Sequence, residues 1–356
     1  MRIRQLGLSL VEIMVAVVIG MIGILIITQA YITSDNFNRS TMGEGGAQMN
    51  GLLALYSVER DLRQAGWGIN NSQARGCGNM LYHYDGGYST AAGGALPDVR
   101  VAPVVITPNA TPTIPDTITV FYGTDGERMM PTTINAWSAA TPDISVDGAD
   151  GFSAGNLVIL VSASGCTLRG VSAVQVVSQK LDMAPTGALK QNPAGWGTFA
   201  STYAKDDAVL NLGTPVLRTY LISNGKLASD DGLLTAGAMT RTDVTDSIVD
   251  MRALYGKDTD ANNIVDTYDT VTPTTAAGWL QVLSVKVAIL ARIGNFEKPA
   301  VSGGDCDATT VVPAWSGSAT SPFQAVSVAA ASPHRCYRYR VFETTVPLRN
   351  MIWAAS

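Results

Sequence analysis

A run of apolar residues near the N-terminus, with one acid at its start, constrains this chain more than any other feature. Arg2 and Arg4 come first, Glu12 follows, and residues 13–27 are almost entirely apolar. A stretch of about 20 apolar residues is long enough to cross a membrane. A carboxylate in such a segment costs about 2.5–3.5 kcal/mol or more, so Glu12 predicts a functional role. The two arginines predict a cytoplasmic N-terminus, with everything after Ile32 exported.

The residues around this acid resemble a known processing signal. The segment 7–12 reads Gly-Leu-Ser-Leu-Val-Glu, which resembles the class III signal of type IV prepilins and pseudopilins. The resemblance implies cleavage between Gly7 and Leu8 by a prepilin peptidase of the inner membrane, and N-methylation of Leu8, where the family usually has Phe. It also implies that Glu12 pairs with the N-terminal ammonium of a neighbouring subunit during assembly. The helix dipole favours an anion at that position.

Two simpler interpretations of the segment account for fewer of its residues. A secretory signal would end in an Ala-x-Ala-like cleavage site, and residues 27–32 offer none. A plain anchor needs only the length, which residues 10–32 provide. It leaves Gly7 and Glu12 unexplained.

Composition limits what the exported part can do. The formal charge is −5, and removal of Arg2 and Arg4 takes the side chains to −7. Because lysines and arginines are scattered singly, the charge pattern gives no support for nucleic-acid binding. Four cysteines in an exported chain predict two disulfides, for which three pairings are open.

The pattern of apolar residues predicts an α+β fold. We expect a leader at 1–7, a transmembrane helical half at 8–33, an amphipathic helical half at 34–66 and a β-rich globular domain at 67–356. Leucines and other apolar residues at helical spacing over 52–65 predict a stripe that packs on a sheet, and Gly43, Gly45 and Gly46 favour local melting of the helix. Apolar runs predict strands at 116–122, 157–161, 171–177, 216–222, 282–293 and 337–346. The Asn224-Gly225 pair predicts a hairpin turn, and surface loops are expected at 91–115, 130–156 and 184–206.

Further segments resemble the PilW group of minor pilins. They are Leu62–Gly66, Val249–Gly256 with the acidic loop that follows, Ser284–Ala288 and Val341–Asn350. Residues 90–205 carry no matching segment. The disulfide-bounded loop of pilins implies a bond between Cys306 and Cys336, and with it a bond between Cys77 and Cys166.

An acidic loop resembles the calcium-binding loop of EF-hands. Oxygen ligands would come from positions 1, 3, 5, 7, 9 and 12, which are Asp258, Asp260, Asn262, Ile264 (through its carbonyl), Asp266 and Asp269. Position 6 is Asn263 in place of Gly, and Asp269 is shorter than the usual Glu. The alternative is an ordinary polar turn, so calcium is the one cofactor that the sequence suggests.

The resemblance implies a structural protein and not an enzyme. We expect a PilW-like minor pilin, inserted in the inner membrane and then incorporated into the type IV pili of a Gram-negative bacterium. Its partners would be other minor pilins, the major pilin, the prepilin peptidase and a tip adhesin, in a tip complex that primes pilus assembly and supports twitching motility. The alternatives are a pseudopilin of a type II secretion system and a membrane-anchored periplasmic enzyme or receptor.

Overall fold

A computed structural model describes residues 9–352 except 70, 72–73, 75–76, 91–92, 110, 112, 125–126, 129, 139, 164, 187, 194–202, 300 and 302–303. Gly7 and Leu8 therefore lie outside the described residues. The first element is a helix, α1 (Leu10–Gln64), and the Ser9 hydroxyl accepts a hydrogen bond from the Glu12 N–H at its start. Part of α1 has a mean hydropathy of 2.9 over 18 residues, none of them buried, so it is long and apolar enough to cross a membrane.

The rest of the chain is mainly β-structure. The strands are β1 (His83–Tyr84), β2 (Gly87–Tyr88), β3 (Val104–Thr107), β4 (Thr117–Tyr122), β5 (Thr132–Trp137), β6 (Asp143–Val146), β7 (Leu157–Ser162), β8 (Gly165–Gly170), β9 (Ala173–Gln175), β10 (Lys180–Asp182), β11 (Ala208–Gly213), β12 (Val216–Ser223), β13 (Lys226–Asp231), β14 (Thr240–Asp246), β15 (Ile248–Lys257), β16 (Thr267–Asp269), β17 (Val282–Arg292) and β18 (Tyr339–Pro347). Short helices are α2 (Leu233–Ala236), α3 (Ala276–Leu280) and α4 (Arg349–Ile352), with a 3₁₀ turn at Pro333–Cys336. The predicted α+β class is confirmed.

Two antiparallel sheets and α1 enclose the first hydrophobic core. The C-terminal sheet has the strand order β16-β15-β17-β18, and the middle sheet has the order β14-β13-β12-β4-β3. The C-terminal half of α1 packs on both sheets through Ala47, Ala54, Val58 and Leu62. A Cβ on Gly51 would lie 2.1 Å from the Phe342 ring, so glycine is what lets α1 approach β18.

A seven-stranded lobe lies between β4 and β12 in the chain. Its strand order is β8-β7-β11-β5-β6-β10-β9. The strand β7 is buried on both faces, because Ile159 joins a core shared with Phe121 and Leu217 of the middle sheet while Val158 joins a core within the lobe. The disulfide Cys77–Cys166 ties the segment after α1 to this lobe.

The other face of the C-terminal sheet is covered by the chain between β17 and β18. Trp315 and Phe323 from this segment pack on Leu254 and Leu290. The disulfide Cys306–Cys336 closes the segment. Both disulfides are the pairs that the resemblance to pilins implies.

A buried cluster of charges fixes this covering segment. The Asp250 carboxylate accepts hydrogen bonds from the backbone N–H groups of Gln324 and Ala325, and Arg252 bridges Asp250 to Asp116. Burial raises the pKa values of both carboxyls, although the Arg252 guanidinium opposes the shift. The segment is therefore held by polar contacts as well as by its apolar side chains.

Several expectations from the sequence are wrong. The helix continues through Gly43, Gly45 and Gly46 without melting. The expected loop at 130–156 contains β5 and β6, and the expected loop at 91–115 contains β3. Of the expected strand 171–177, only residues 173–175 form a strand. Val177 lies in a turn and is fully exposed.

A second buried charge holds α1 to the middle sheet. Asp61 is fully buried, and its carboxylate accepts hydrogen bonds from Arg218 (2.7 Å) and from the Tyr220 hydroxyl (2.8 Å). Burial disfavours the charged form of Arg218, but the contact with Asp61 outweighs burial and raises the pKa of the guanidinium. Burial also raises the pKa of Tyr220, so its hydroxyl remains a donor. Asp231 pairs with the other side of Arg218 (3.0 Å).

We expect Asp61→Ala to lower the free energy of unfolding by about 2–4 kcal/mol, because the variant leaves buried donors without their acceptor. The measurement is denaturant unfolding of the full chain in detergent, followed by tryptophan fluorescence. Asp243→Ala is the matched control, since Asp243 is exposed and pairs only at the surface with Lys226. Equal effects of the two substitutions would contradict a special role for the buried pair.

Candidate functional site

The N-terminal end of α1 is described from Ser9 onward. The sequence Ser9-Leu10-Val11-Glu12 places Ser9 at the helix N-cap and Glu12 in the first turn, where the helix dipole favours its charge. Glu12 is exposed. The processing residues Gly7 and Leu8 lie outside the described residues, so their cleavage and methylation stay predictions.

An apolar face also occurs on α1 beyond its first part, which is long and apolar enough to cross a membrane. Residues 10–32 cover about 33 Å at 1.5 Å per residue, which already exceeds a hydrocarbon core of about 30 Å. Further along, Met42 is 79% exposed, Met49 69% and Tyr56 63%, and Leu52 and Leu53 are about half exposed. At 100° per residue these five side chains fall within about 100° of each other. We call them the outer face of α1.

The outer face lies opposite the side that contacts the globular body. Ala54, Val58 and Leu62 are fully buried, and the helical period places them roughly 180° from Met49. Gly45 and Gly46 lie beside Met42 and Met49, and a Cβ on either would meet nothing within 4 Å. Within the described chain, nothing covers this face, so it is available to another molecule.

The prediction for this part of α1 is wrong. The apolar residues of 52–65 were expected to form one stripe on a sheet, but Leu52, Leu53 and Tyr56 point away from the body. Separating the residues by their angle around the helix would have resolved two stripes. The two stripes lie on opposite sides of the helix, and the angle of each residue around the helix axis distinguishes them.

The acidic loop follows β15, at the same end of the body as the C-terminus of α1. Asp258, Asp260 and Asp266 bring carboxylate oxygens within 4.8 Å of one another. Asp258 accepts from the N–H groups of Asn262 (3.2 Å) and Asn263 (2.6 Å). Partial burial tends to raise the pKa of Asp258, but the backbone donors outweigh it and hold the pKa below its ordinary value.

The remaining predicted ligands are placed differently. Asn263 has φ +65°, so it adopts the left-handed conformation that position 6 requires. The Asn262 side-chain oxygen accepts from the Ile264 N–H (2.7 Å). Asp269 lies in β16 and pairs with Lys257 at 2.7 Å, away from the three clustered carboxylates. The loop therefore brings together part of the predicted ligand set, and calcium binding stays a prediction.

Comparison with known proteins gives two matches. Residues 213–350 match the model of a family described as "Type IV Pilus-assembly protein W", so the resemblance predicted from the sequence is confirmed over those residues. A solved type IV-like pilin from Thermus thermophilus is similar at 9% identity and a TM-score of 0.34, over 84% of this chain and 93% of that chain. No curated protein matches the chain.

If the clustered carboxylates bind calcium, the ion should raise the melting temperature of the full chain. Without a bidentate Glu at the last position, we expect a dissociation constant on the order of 10⁻⁴ M, and at a hundredfold excess over that constant the gain would be about 2.7 kcal/mol. Asp260→Ala should abolish the shift. Asp269→Asn is the matched control, because Asp269 pairs with Lys257. An equal melting temperature with calcium and with chelator would identify the loop as an ordinary turn.

Proposed function

We propose that this protein is a PilW-like minor pilin that is incorporated into type IV pili through α1. The observation that carries the proposal is the outer face, an apolar strip about 21 Å long between residues 42 and 56 that ends about 36 Å beyond residue 32. A membrane cannot cover it, and the globular body occupies the opposite side. Helices of neighbouring subunits would bury it, as apolar stripes at this spacing generally require a partner.

The family match supports the same conclusion. It covers β12 to β18, which is the part of the body that packs on α1 together with β4. The printed description of that family names type IV pilus assembly. A pseudopilin of a secretion system would share the N-terminal signal, but nothing in this match favours it.

The route to the pilus follows from the N-terminal residues. We propose insertion in the inner membrane with a cytoplasmic N-terminus, cleavage after Gly7 and N-methylation of Leu8. Glu12 would then pair with the ammonium of a neighbouring subunit. Since Glu12 is exposed in the first turn of α1, its carboxylate is open to such a partner. A nearby cation would offset the cost of placing this charge in lipid.

A place at the tip of the pilus, with other minor pilins, is supported by the seven-stranded lobe. The lobe is joined to the body at the C-terminal end of α1, where the Gly123 N–H donates to the carbonyl of Trp67 (2.8 Å). This is the end of α1 remote from the membrane. A bulky lobe there would obstruct a further subunit stacked above it. We propose with it that the protein takes part in priming pilus assembly, and that its partners are the other subunits of a tip complex, including an adhesin.

Met49→Glu tests the outer face directly. We expect the variant to insert in the membrane and melt at the wild-type temperature, because Met49 touches solvent and not the body. Its incorporation into sheared pili should fall at least about tenfold, since a buried carboxylate would face the neighbouring helix.

Met130→Glu is the matched control, because Met130 is 78% exposed, against 69% for Met49, but lies on the body. The measurement is quantitative immunoblotting of pili and membranes. Normal incorporation of Met49→Glu would contradict assembly through the outer face.

A further inference from the structure

The strand β18 has one side paired with β17 and one side open. The Leu348 N–H donates to the Leu283 carbonyl, and the Ile293 N–H donates to the Arg338 carbonyl. In an antiparallel pair, the backbone N–H and C=O groups of every second residue point toward the partner strand. From these two bonds and the unbroken register, these groups point toward β17 at the even-numbered residues of β18. The backbone groups that point outward belong to Tyr339, Val341, Glu343 and Thr345. No backbone hydrogen bond joins them to any other described residue.

The other long sheet edges are protected. The strand β14 is interrupted by a bulge, where its register with β13 shifts. The edge of β3 is capped, since the Ile106 N–H donates to the Tyr255 hydroxyl (2.6 Å). The edge of β8 is paired by Leu81. The remaining edge strands of the three large sheets, β9 and β16, have three residues each. Proteins protect exposed edges because these attract further strands, so among the described strands β18 is the exception.

We propose that the outer edge of β18 binds an extended strand donated by a neighbouring pilus subunit. The inference rests on the proposed function and adds a second, sheet-based contact to the helix-based one. It follows from position, because β18 lies directly against α1: Phe342 packs on Gly51, and Arg340 reaches Glu44 (3.5 Å). The edge therefore lies beside the helix through which neighbouring subunits are proposed to assemble.

The strand β18 of a second copy does not fit the edge in an antiparallel pairing. The strand β18 runs in the same direction as α1, because Arg340 lies near Glu44 while Asn350 bonds to the Gln64 carbonyl (3.1 Å). A twofold β18–β18 pairing would set the two α1 helices antiparallel. Both helices would then need to enter one membrane from opposite sides. A second copy of this chain therefore cannot donate its own β18 in this pairing, and the donor that we propose is a different subunit.

The surroundings of β18 define the chemistry of the donated strand. On the α1 side, the donated residues would meet the apolar surface that includes Phe342. On the other side lies a cleft of about 250 Å³ lined by Lys286, Ser316, Glu343, Thr344 and Thr345. A strand that alternates apolar residues with hydroxyl-bearing or amide side chains matches both faces.

Hydrogen–deuterium exchange of the wild-type full chain tests the proposal without any substitution. In detergent, the amides of Val341, Glu343 and Thr345 should exchange quickly, while those of Phe342 and Thr344 exchange slowly. In isolated pili, the three outward amides should slow by at least about tenfold. Equally fast exchange in pili and in detergent would overturn the proposal.

Val341→Pro removes one outward N–H and leaves the bonds to β17 in place. We expect a chain that melts normally but is depleted from pili at least about tenfold. Val341→Thr keeps the N–H and should be incorporated like wild type. If Val341→Pro melts early, Glu343→Pro and the exchange experiment decide. Normal incorporation of a folded proline variant would refute strand addition.

The inference and the proposed function fail in different ways. If Glu12→Val is excluded from pili while Val341→Pro enters them, the chain is a pilin and the edge is not used. If Glu12→Val is incorporated like wild type, the proposed function fails first.

Discussion

The rest of the structure depends on α1, because this one continuous helix must suit three different environments along its length. Its first part is apolar on all sides and suits lipid. Its second part has a buried side against two sheets and an outer face with no described neighbour. Since the backbone hydrogen bonds run within the helix throughout, α1 can pass between these surroundings without unsatisfied groups.

Buried charges hold the body around this helix. Asp61 is an acid on the buried side of α1, and it is balanced by Arg218 and Tyr220 from the middle sheet. A helix held only by apolar packing could rotate or slide against the sheets. A buried ion pair opposes this movement, because breaking the pair would leave a charge buried without its partner. The pair therefore fixes which side of α1 faces the body, and with it the direction of the outer face. The Asp250–Arg252–Asp116 cluster holds the covering segment in the same manner.

Much of this structure could be predicted from the sequence. The long helix, the hairpin at Asn224-Gly225 and the strands β4, β12, β17 and β18 follow from clear periodicity or turn chemistry. Of the seven-stranded lobe, β7 could be predicted, but β5 and β6 could not, because they lie among prolines, threonines and glycines. Their buried residues, such as Ile134 and Ile144, are isolated apolar positions whose burial depends on distant strands. The outer face was missed because apolar residues occupy both sides of α1, so spacing alone gave one stripe.

The central claim is that this chain is processed as a pilin and enters the pilus through α1. Mass spectrometry of the N-terminal peptide from sheared, purified pili tests it most directly. The account predicts a peptide that begins at Leu8 and carries one N-methyl group. A peptide that begins at Met1, or the absence of the chain from pili that assemble normally, would contradict the account.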